Sequence, residues 1–414
     1  MRRLLQGWSA APSSGALGVL AALTACVLAI AGCGGGATRL IVRTTSTSTV
    51  PSTASPAAGT GFPVLATKNT TRVSGVDSVA NAAGVALAVF PSAAPGTHPA
   101  AATLAPTDDW EAAIAASVLM APPIRAPILL SGSASVPPAT ANALGLLAPT
   151  GSGSAGGAQV IRVGDVPAPH GLHAATISGS GPYALAAAID RFQSAAAGKP
   201  SPDVVIASAD NPAYAMPAAG WAAESGDPVL FVTASGIPAQ TAQALQSDQR
   251  PHIYVLGPPS VIPDSILTQL GKYGTVARVG DADPAANSVA FAVYRDPPCA
   301  VNQPCAHVPN SFGWAMRSPG HGYTLLNANN TFDAAASAAL SASGSYGPQL
   351  LIDNPNTLPQ PVLNFFLNYA TPGYTAEGPT AAVYNHGWVI GDPSTISVSV
   401  QAEIDSLLEV VPQK

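Results

Sequence analysis

One pattern of apolar runs, loops and Ala-rich stretches occurs three times between residues 62 and 414, and this repetition constrains the fold more than any other feature. In each copy a proline opens a short apolar run, and an aliphatic-proline pair follows shortly afterwards. The runs are Pro127–Leu130, Pro228–Phe231 and Pro348–Leu351, and the pairs are Val136-Pro137, Ile237-Pro238 and Leu358-Pro359. Recurrence in the same order indicates that the chain builds one kind of unit three times.

Each copy contains two further apolar runs, one ending in small polar residues and one ending in glycine. In chain order they are ATLAPTDD (102–109), QVIRVGD (159–165), DVVIASADN (203–211), HIYVLG (252–257), YTLLNANN (323–330) and GWVIG (387–391). Continuous apolar runs are typical of strands covered on both faces, and strands that alternate with helices pair in parallel. The sequence therefore predicts an α/β fold of three tandem Rossmann-like or flavodoxin-like repeats with parallel sheets.

The predicted repeats span residues 62–169, 170–277 and 278–414. Two departures from the pattern stand out. Repeat one has only VPAPHGLHA (166–174) where a helix should follow its closing strand, and this stretch is too short and too rich in proline for one. Repeat three carries an insertion at residues 296–320.

The amino terminus has the layout of a bacterial lipoprotein signal. A basic start, MRRLL, precedes an apolar run at residues 16–32, and small residues lead to Cys33. We therefore expect residues 1–32 to be a signal peptide and Cys33 to be lipidated. An uncleaved membrane anchor is the alternative, although the run is short for a bilayer span. Either way, the rest of the chain lies outside the cytoplasm.

A stretch rich in Gly, Ser, Thr and Pro follows at residues 33–61. Such a composition cannot bury enough apolar surface to fold, so we expect a flexible tether between the membrane and the repeats. Once Cys26 and Cys33 are assigned to the signal and the lipid, Cys299 and Cys305 remain. They are expected to form a disulfide in an oxidising compartment.

Charge and motif content exclude several classes of function. Charged residues make up 9% of the chain, the net charge is −6, and no basic block is present, which argues against a nucleic-acid partner. His170 and His173 form the closest histidine pair, but no third ligand is in register, so no metal is expected. The sequence has no phosphate-binding loop and no nucleophile elbow, so we expect neither a cofactor nor enzymatic activity.

The acidic stretch PTDDWEAA admits two interpretations. Asp108, Asp109 and Glu111 could be catalytic acids. The favoured interpretation is a helix cap in which Asp108 is the N-cap and Glu111 reaches back to it. Asn330 and Asp333 have the same offset in repeat three, as expected of a folding device that recurs with the repeat.

Taken together, these residues resemble the type 2 cell-wall-binding repeat of bacterial surface proteins. The Arg-Gly turn that opens the family's unit is matched by Arg72 with Gly75 and by Arg278 with Gly280, while repeat two has Thr176. The family's Pro-Ile-Leu-Leu strand is literal at Pro127–Leu130. At the helix start, the family's aspartate is matched by Asp333 and conservatively by Glu111, and repeat two has Tyr214 there.

The resemblance implies three similar units around a pseudo-threefold axis that hold the protein non-covalently to anionic wall polymer. Arg72, Arg162 and Arg278 could pair with the acidic groups of such a polymer, or they could serve a structural role. Ligands of parallel sheets bind at the carboxyl ends of the strands, near Asp108, Asp210 and Asn329. We therefore expect an extracytoplasmic lipoprotein, anchored to the cell membrane by lipid, that contacts wall glycopolymer. The alternative is a solute-binding lipoprotein, a class that normally has two lobes.

Overall fold

The computed structural model describes residues 63–299, 305, 308, 311–343, 347–374 and 383–412. The predicted signal peptide, the lipidated Cys33 and the tether lie outside the described residues. Within the described part, no helix combines the length and the apolarity that a membrane crossing requires.

Fifteen strands are described, most of them four to six residues long. They are β1 (Pro63–Ala66), β2 (Thr70–Val73), β3 (Ala102–Pro106), β4 (Ile128–Ser131), β5 (Val160–Val163), β6 (Ala174–Ile177), β7 (Asp203–Ser208), β8 (Val229–Val232), β9 (His252–Leu256), β10 (Thr275–Val279), β11 (Gly322–Asn327), β12 (Gln349–Ile352), β13 (Gly373–Tyr374), β14 (His386–Ile390) and β15 (Val411–Pro412).

Twelve α-helices connect the described strands. They are α1 (Ser78–Val89), α2 (Trp110–Ala116), α3 (Pro138–Leu147), α4 (Pro182–Ala197), α5 (Pro212–Ala215), α6 (Pro217–Ser225), α7 (Ala239–Ser247), α8 (Asp264–Leu270), α9 (Pro284–Val293), α10 (Phe332–Ser341), α11 (Gln360–Phe365) and α12 (Val398–Leu407).

Thirteen of the described strands form three sheets with the same order, and β13 and β15 form a separate two-stranded parallel sheet. Unit 1 has the order β4-β3-β5-β6, unit 2 has β8-β7-β9-β10, and unit 3 has β12-β11-β14-β2 with β1 added at its edge. All neighbours in these sheets are parallel except β1 and β2. The predicted α/β fold with parallel sheets is therefore confirmed. The apolar runs make the strands because both faces are covered: every residue of β3, β4 and β8 is buried.

The fourth strand of each sheet was not foreseen in the sequence. The turns expected to open the repeats include Arg72, Thr176 and Arg278, yet these residues lie in β2, β6 and β10, each of which pairs with the third strand of its sheet. The sequence repeats and the sheets are therefore out of phase by one strand. In unit 3 the fourth strand is β2, which comes from the other end of the described chain.

The helices between units make contacts in cyclic order. Helix α1 follows the fourth strand of unit 3 and packs on α3 and β4 of unit 1. Helix α4 follows the fourth strand of unit 1 and packs on α7 and β8 of unit 2. Helix α9 follows the fourth strand of unit 2 and packs on α11 and β12 of unit 3. Helices α2, α6 and α10, which follow the first strands, each contact the other two. The three units thus meet around these helices, while a pseudo-threefold axis stays a prediction.

The insertion in repeat three contributes to the core. The disulfide expected between Cys299 and Cys305 is present, with the Cα atoms 5.6 Å apart. Further along, Phe312 is fully buried; it stacks on Tyr254 with ring centroids 3.8 Å apart and lies 4.7 Å from the ring of Trp221. The insertion therefore closes over the aromatic core of unit 2.

Candidate functional site

A cleft of about 300 Å³ opens at the carboxyl edge of the sheet in unit 1. It lies where the chain turns away from β3 and β5, the neighbouring strands at which the strand order reverses. Open α/β sheets bind ligands at such a crevice. Its walls carry Asp108 after β3, Ser133 after β4, Asp165 after β5 and Gly181 after β6.

The carboxyl groups of this cleft differ in environment. Asp109, rather than the predicted Asp108, is the N-cap of α2: its Oδ1 accepts from the backbone N–H of Ala112 at 2.8 Å. Burial raises the pKa of Asp109, and it raises the pKa of Glu111 to about 6. Asp108 and Asp165 are exposed on the rim or close to it. The expected capping box is therefore wrong in detail: α2 has a side-chain cap, but from Asp109, and α10 has Thr331 at its N-cap position without a side-chain cap, so the cap expected to recur at Asn330 and Asp333 is not formed.

This arrangement suits a ligand that donates hydrogen bonds. Ionised carboxylates only accept, so Asp108 and Asp165 can bind hydroxyl groups and repel anionic groups nearby. All 22 Asp and Glu residues of the chain but only 11 of its 16 Lys and Arg residues lie in residues 63–412, which makes the folded body more acidic than the chain as a whole. No group of three or more His, Cys, Asp or Glu residues in the described ranges could hold a metal ion.

The corresponding places in the other units are occupied by protein groups. In unit 2 the hydroxyl of Tyr214 donates to the carbonyl oxygen of Ala282 at 2.7 Å, which joins α5 to the turn after β10. In unit 3 the side-chain amide of Asn81 donates to Asp333 at 3.0 Å, and Asp333 is fully buried with a raised pKa. In unit 1 the corresponding residue on α4 is the apolar Leu185, which lines the cleft.

Each of the three predicted arginines hydrogen-bonds to the loop that follows the third strand of its unit. Arg72 is fully buried and donates to Gln401 Oε1 and to the carbonyl oxygen of Gly391, both at 2.8 Å. Burial lowers the pKa of Arg72 to about 10, so it stays charged at neutral pH. With no exposed surface, its guanidinium is out of reach of a polymer outside the protein.

The other two arginines also have protein acceptors. Arg278 donates to the carbonyl oxygens of Gly257 and Ile262, at 2.6 and 2.8 Å, and to Asp264 Oδ1 at 2.8 Å. Its side chain is 18% exposed. The predicted contact of these arginines with a polymer therefore stays a prediction. Their hydrogen bonds to protein acceptors agree with the structural role that was the alternative.

Arg162 performs this role from a different strand. It stands on β5 opposite Thr176, and Thr176 occupies on β6 the place that Arg72 and Arg278 hold on their own fourth strands. Arg162 donates from Nε to the carbonyl oxygen of Val166 at 2.7 Å and from Nη1 to Thr176 Oγ1 at 3.2 Å. The arginine has thus moved one strand inward in unit 1.

The glycines of the opening turns are required by close packing. A Cβ added to Gly75 would lie 2.6 Å from the backbone nitrogen of Asn81, and one added to Gly280 would lie 2.7 Å from the backbone nitrogen of Gly257. Side chains at these positions would push the helix or the neighbouring loop away. The Arg-Gly pairs thus fasten the fourth strand of the sheet to the loop beside it.

Buried acids line a second cavity, of about 340 Å³, at the amino edge of unit 2. Asp227 precedes β8 and accepts from Trp221 Nε1 and from the Ser201 hydroxyl, both at 2.7 Å. Burial raises the pKa of Asp227 to about 7, and it also raises the pKa of Asp190 and Asp203 in the same cavity. These carboxyl groups are part of the packing rather than of an open surface.

The geometry places this chain among α/β proteins built from repeated parallel-sheet units. Its structure is similar to those of Cwp6 and Cwp8 from Clostridium difficile, with TM-scores of 0.62 and 0.58 and 15% identity in both cases. Each match covers 82% of this chain, which spans 48% and 52% of those two proteins, about half of their length. At this identity the likeness establishes the fold. No curated protein sequence matches.

Residues 176–267 match the model of the cell wall binding domain 2 family. The resemblance found in the sequence is thereby confirmed. The matched range begins within β6 and ends within α8, so it follows the sequence repeat 170–277 rather than the sheet of unit 2.

Proposed function

We propose that this chain is a cell-envelope protein that binds the bacterial cell wall non-covalently through its three-unit body. The match of residues 176–267 to the cell wall binding domain 2 family carries this proposal. The recurrence of the same sheet in units 1 and 3 supports it, because the fold of the matched region is then shared by the whole three-unit body.

The ligand in this proposal is a wall glycopolymer recognised at the open carboxyl edge of unit 1. Its hydroxyl groups would donate to Asp108 and Asp165 and share hydrogen bonds with Ser133. An anionic polymer, which the family resemblance implies, would have to approach an acidic body whose three matched arginines already have protein acceptors. Contact through sugar hydroxyls therefore has the better support.

We also propose that lipid on Cys33 holds the chain at the outer face of the cell membrane, and that the function is binding rather than catalysis. The basis for the lipid is the amino-terminal sequence described above. A Cys33→Ala variant expressed in the host should lose labelling by radioactive palmitate. Unchanged labelling would rule out lipid at this position.

Co-sedimentation with purified walls tests the binding. Protein without residues 1–33 is mixed with native walls and with walls stripped of anionic polymer. Retention on both supports recognition of glycan hydroxyls, and retention on native walls alone supports the anionic polymer. Failure to sediment with either would reject wall binding.

Substitution within the cleft tests the site. The double variant Asp108→Asn, Asp165→Asn replaces one acceptor oxygen of each carboxylate by an amide donor and removes both charges, and we expect its retention to fall about tenfold, the equivalent of 1.4 kcal/mol. The matched control is Asp353→Asn, an exposed aspartate that follows β12 in unit 3. Equal retention of both proteins would move the site away from this cleft.

A further inference from the structure

An apolar groove lies on the outer face of unit 1, on the side of the sheet opposite α2. Its volume is about 620 Å³. One wall is α3, which contributes Ala141, Leu144 and Gly145, and the other is the loop of residues 164–173, which contributes Pro167 and Leu172. Apart from His170 on the rim, its lining carries no titratable side chain. The volume falls in the usual range of ligand sites.

The groove lies where units 2 and 3 have a helix. In unit 2 the third strand is followed by α8, whose Ile266 and Leu270 are buried in the same apolar cluster as Leu245 of α7. In unit 3 it is followed by α12, which buries Val400 and Ile404. Both helices present two aliphatic residues four positions apart, which is one face of a helix.

Unit 1 has only a loop between β5 and β6, and Pro167 stands where Pro263 caps α8. The side chains of α3 are correspondingly less covered. Ala141 is exposed, whereas its counterpart Ala242 on α7 is half-buried, and Leu144 retains 5% exposure where Leu245 has none. The groove is therefore the surface that an outer helix covers in units 2 and 3 and that stays open in unit 1.

The charge beside the groove also indicates what should occupy it. In the other units the outer helix gives the arginine a side-chain acceptor: Asp264 Oδ1 for Arg278 and Gln401 Oε1 for Arg72. Within the described ranges, Arg162 bonds to a carbonyl oxygen and to a hydroxyl but to no carboxylate or amide side chain. It stands on the same face of the sheet as Leu104, its partner in the register, which packs with Leu144.

We propose that this groove docks an amphipathic helix of another protein. The helix presents two aliphatic residues four positions apart and carries an acidic residue in its first turn, where it pairs with Arg162 and suits the helix dipole. The aliphatic pair replaces Ile266 and Leu270, and the acid replaces Asp264. This interaction is independent of wall binding, so either can fail without the other.

The chain supplies its own probe. A fluorescent peptide of residues 261–273, which contains α8, is titrated into protein lacking residues 1–33 and followed by fluorescence anisotropy. We expect saturable binding. Replacing Ile266 and Leu270 of the peptide by Asp should weaken it at least tenfold, and Asp264→Asn in the peptide should weaken it several-fold. Equal binding of all three peptides would overturn the proposal.

Position 145 supplies a matched pair of protein variants. A Cβ at Gly145 meets no atom within 4 Å, so substitutions there are compatible with the fold. Gly145→Arg projects a charged chain into the groove and should weaken the peptide at least tenfold, whereas Gly145→Ala should stay within twofold of the wild type. Unimpaired binding to Gly145→Arg would place the peptide elsewhere and overturn the proposal.

A chimera tests, without a partner protein, whether the groove of unit 1 accepts an outer helix. Residues 263–272 replace residues 167–172, so that unit 1 receives the outer helix of unit 2. We expect a higher Tm and no peptide binding. A chimera that is no more stable and still binds peptide contradicts the proposal. So does a wild-type dimer in sedimentation that Gly145→Arg dissociates, because a second copy would then be the occupant.

Discussion

Units 1 and 3 build the same four-stranded parallel arrangement from different stretches of chain. Unit 3 takes its fourth strand from residues 70–73 and its outer helix from residues 398–407, and Arg72 joins the two. Unit 1 has a continuous chain, no outer helix and an arginine on the neighbouring strand. The sheet of unit 1 therefore forms without an outer helix, and Arg162 holds the loop after its third strand.

The two arginines differ in how much depends on them. Arg72 is fully buried and joins segments more than 300 residues apart, whereas Arg162 is half-buried and bonds within residues 162–176. Removing a buried charge leaves its acceptors unsatisfied, and the cost grows with burial. The stability of unit 3 should therefore be more sensitive to this one side chain.

The largest expected effect comes from Arg72→Met. Met fills part of the volume but leaves Gln401 and the carbonyl oxygen of Gly391 without a donor. We expect a loss of about 4 kcal/mol in the free energy of unfolding. Arg162→Met should cost about 1 kcal/mol, because its acceptors lie nearer to water. Urea denaturation measures both, and equal losses would remove the distinction between the units.

The next effect concerns the outer layer. Ile404→Ala removes a fully buried side chain from α12 and should cost about 3 kcal/mol. Leu172→Ala removes a half-buried side chain from the loop that replaces the helix in unit 1, and it should cost about 1 kcal/mol. Denaturation of the two variants under the same conditions tests the contrast. An equal loss of unfolding free energy for Leu172→Ala and Ile404→Ala would mean that the loop stabilises unit 1 as much as α12 stabilises unit 3.

A smaller effect extends the comparison to unit 2, where Asp227 stands at the position that Ala126 holds in unit 1. Its pKa is raised from 3.8 to about 7 in the folded protein. Between these values the folded protein keeps a proton that the unfolded chain has lost, so the free energy of unfolding falls as pH rises. Asp227→Asn should lessen this fall and be more stable than wild type at pH 8 by roughly 2 kcal/mol.

The measurement is the difference in Tm between wild type and Asp227→Asn from pH 4.5 to pH 8, because Asp190 and Asp248 also have raised pKa values. Asn can still accept from Trp221, so the packing is kept. The exposed Asp353→Asn is the control and should show no such trend. A pH-independent difference between Asp227→Asn and wild type would contradict the raised pKa.

The strands that the sequence predicts are those with continuous apolar runs. Leu129 lies in β4 and Leu230 in β8, and the continuous apolar run of each strand is enough to predict that it is buried. The fourth strands were missed because TTRV, AATI and TVARV are short and mixed in character. They become strands only through the edge of a sheet that the rest of the unit has already formed. Phe312 was missed for a related reason, since its burial depends on a distant aromatic cluster.

The candidate site was predictable in place but not in detail. Asp108 follows an evident strand, so its position at a carboxyl edge could be inferred from the sequence, and the missing outer helix was visible in VPAPHGLHA. The acceptors of the three arginines could not be inferred, because they are mostly backbone carbonyls whose positions depend on the loops. The arginines were open to ligand binding or to a structural role, and in the structure they make internal hydrogen bonds.

The position of β2 in the last sheet affects the order in which the molecule can form. Units 1 and 2 can complete their strands as soon as the chain up to β10 is available, whereas β2 must wait for β14, which lies more than 300 residues further on. Closing so long a loop is slow, although its entropic cost grows only slowly with length. In a chain that is synthesised from its amino end, β2 would therefore stay unpaired until nearly the whole chain had been made. Only then could β2 join the sheet of unit 3.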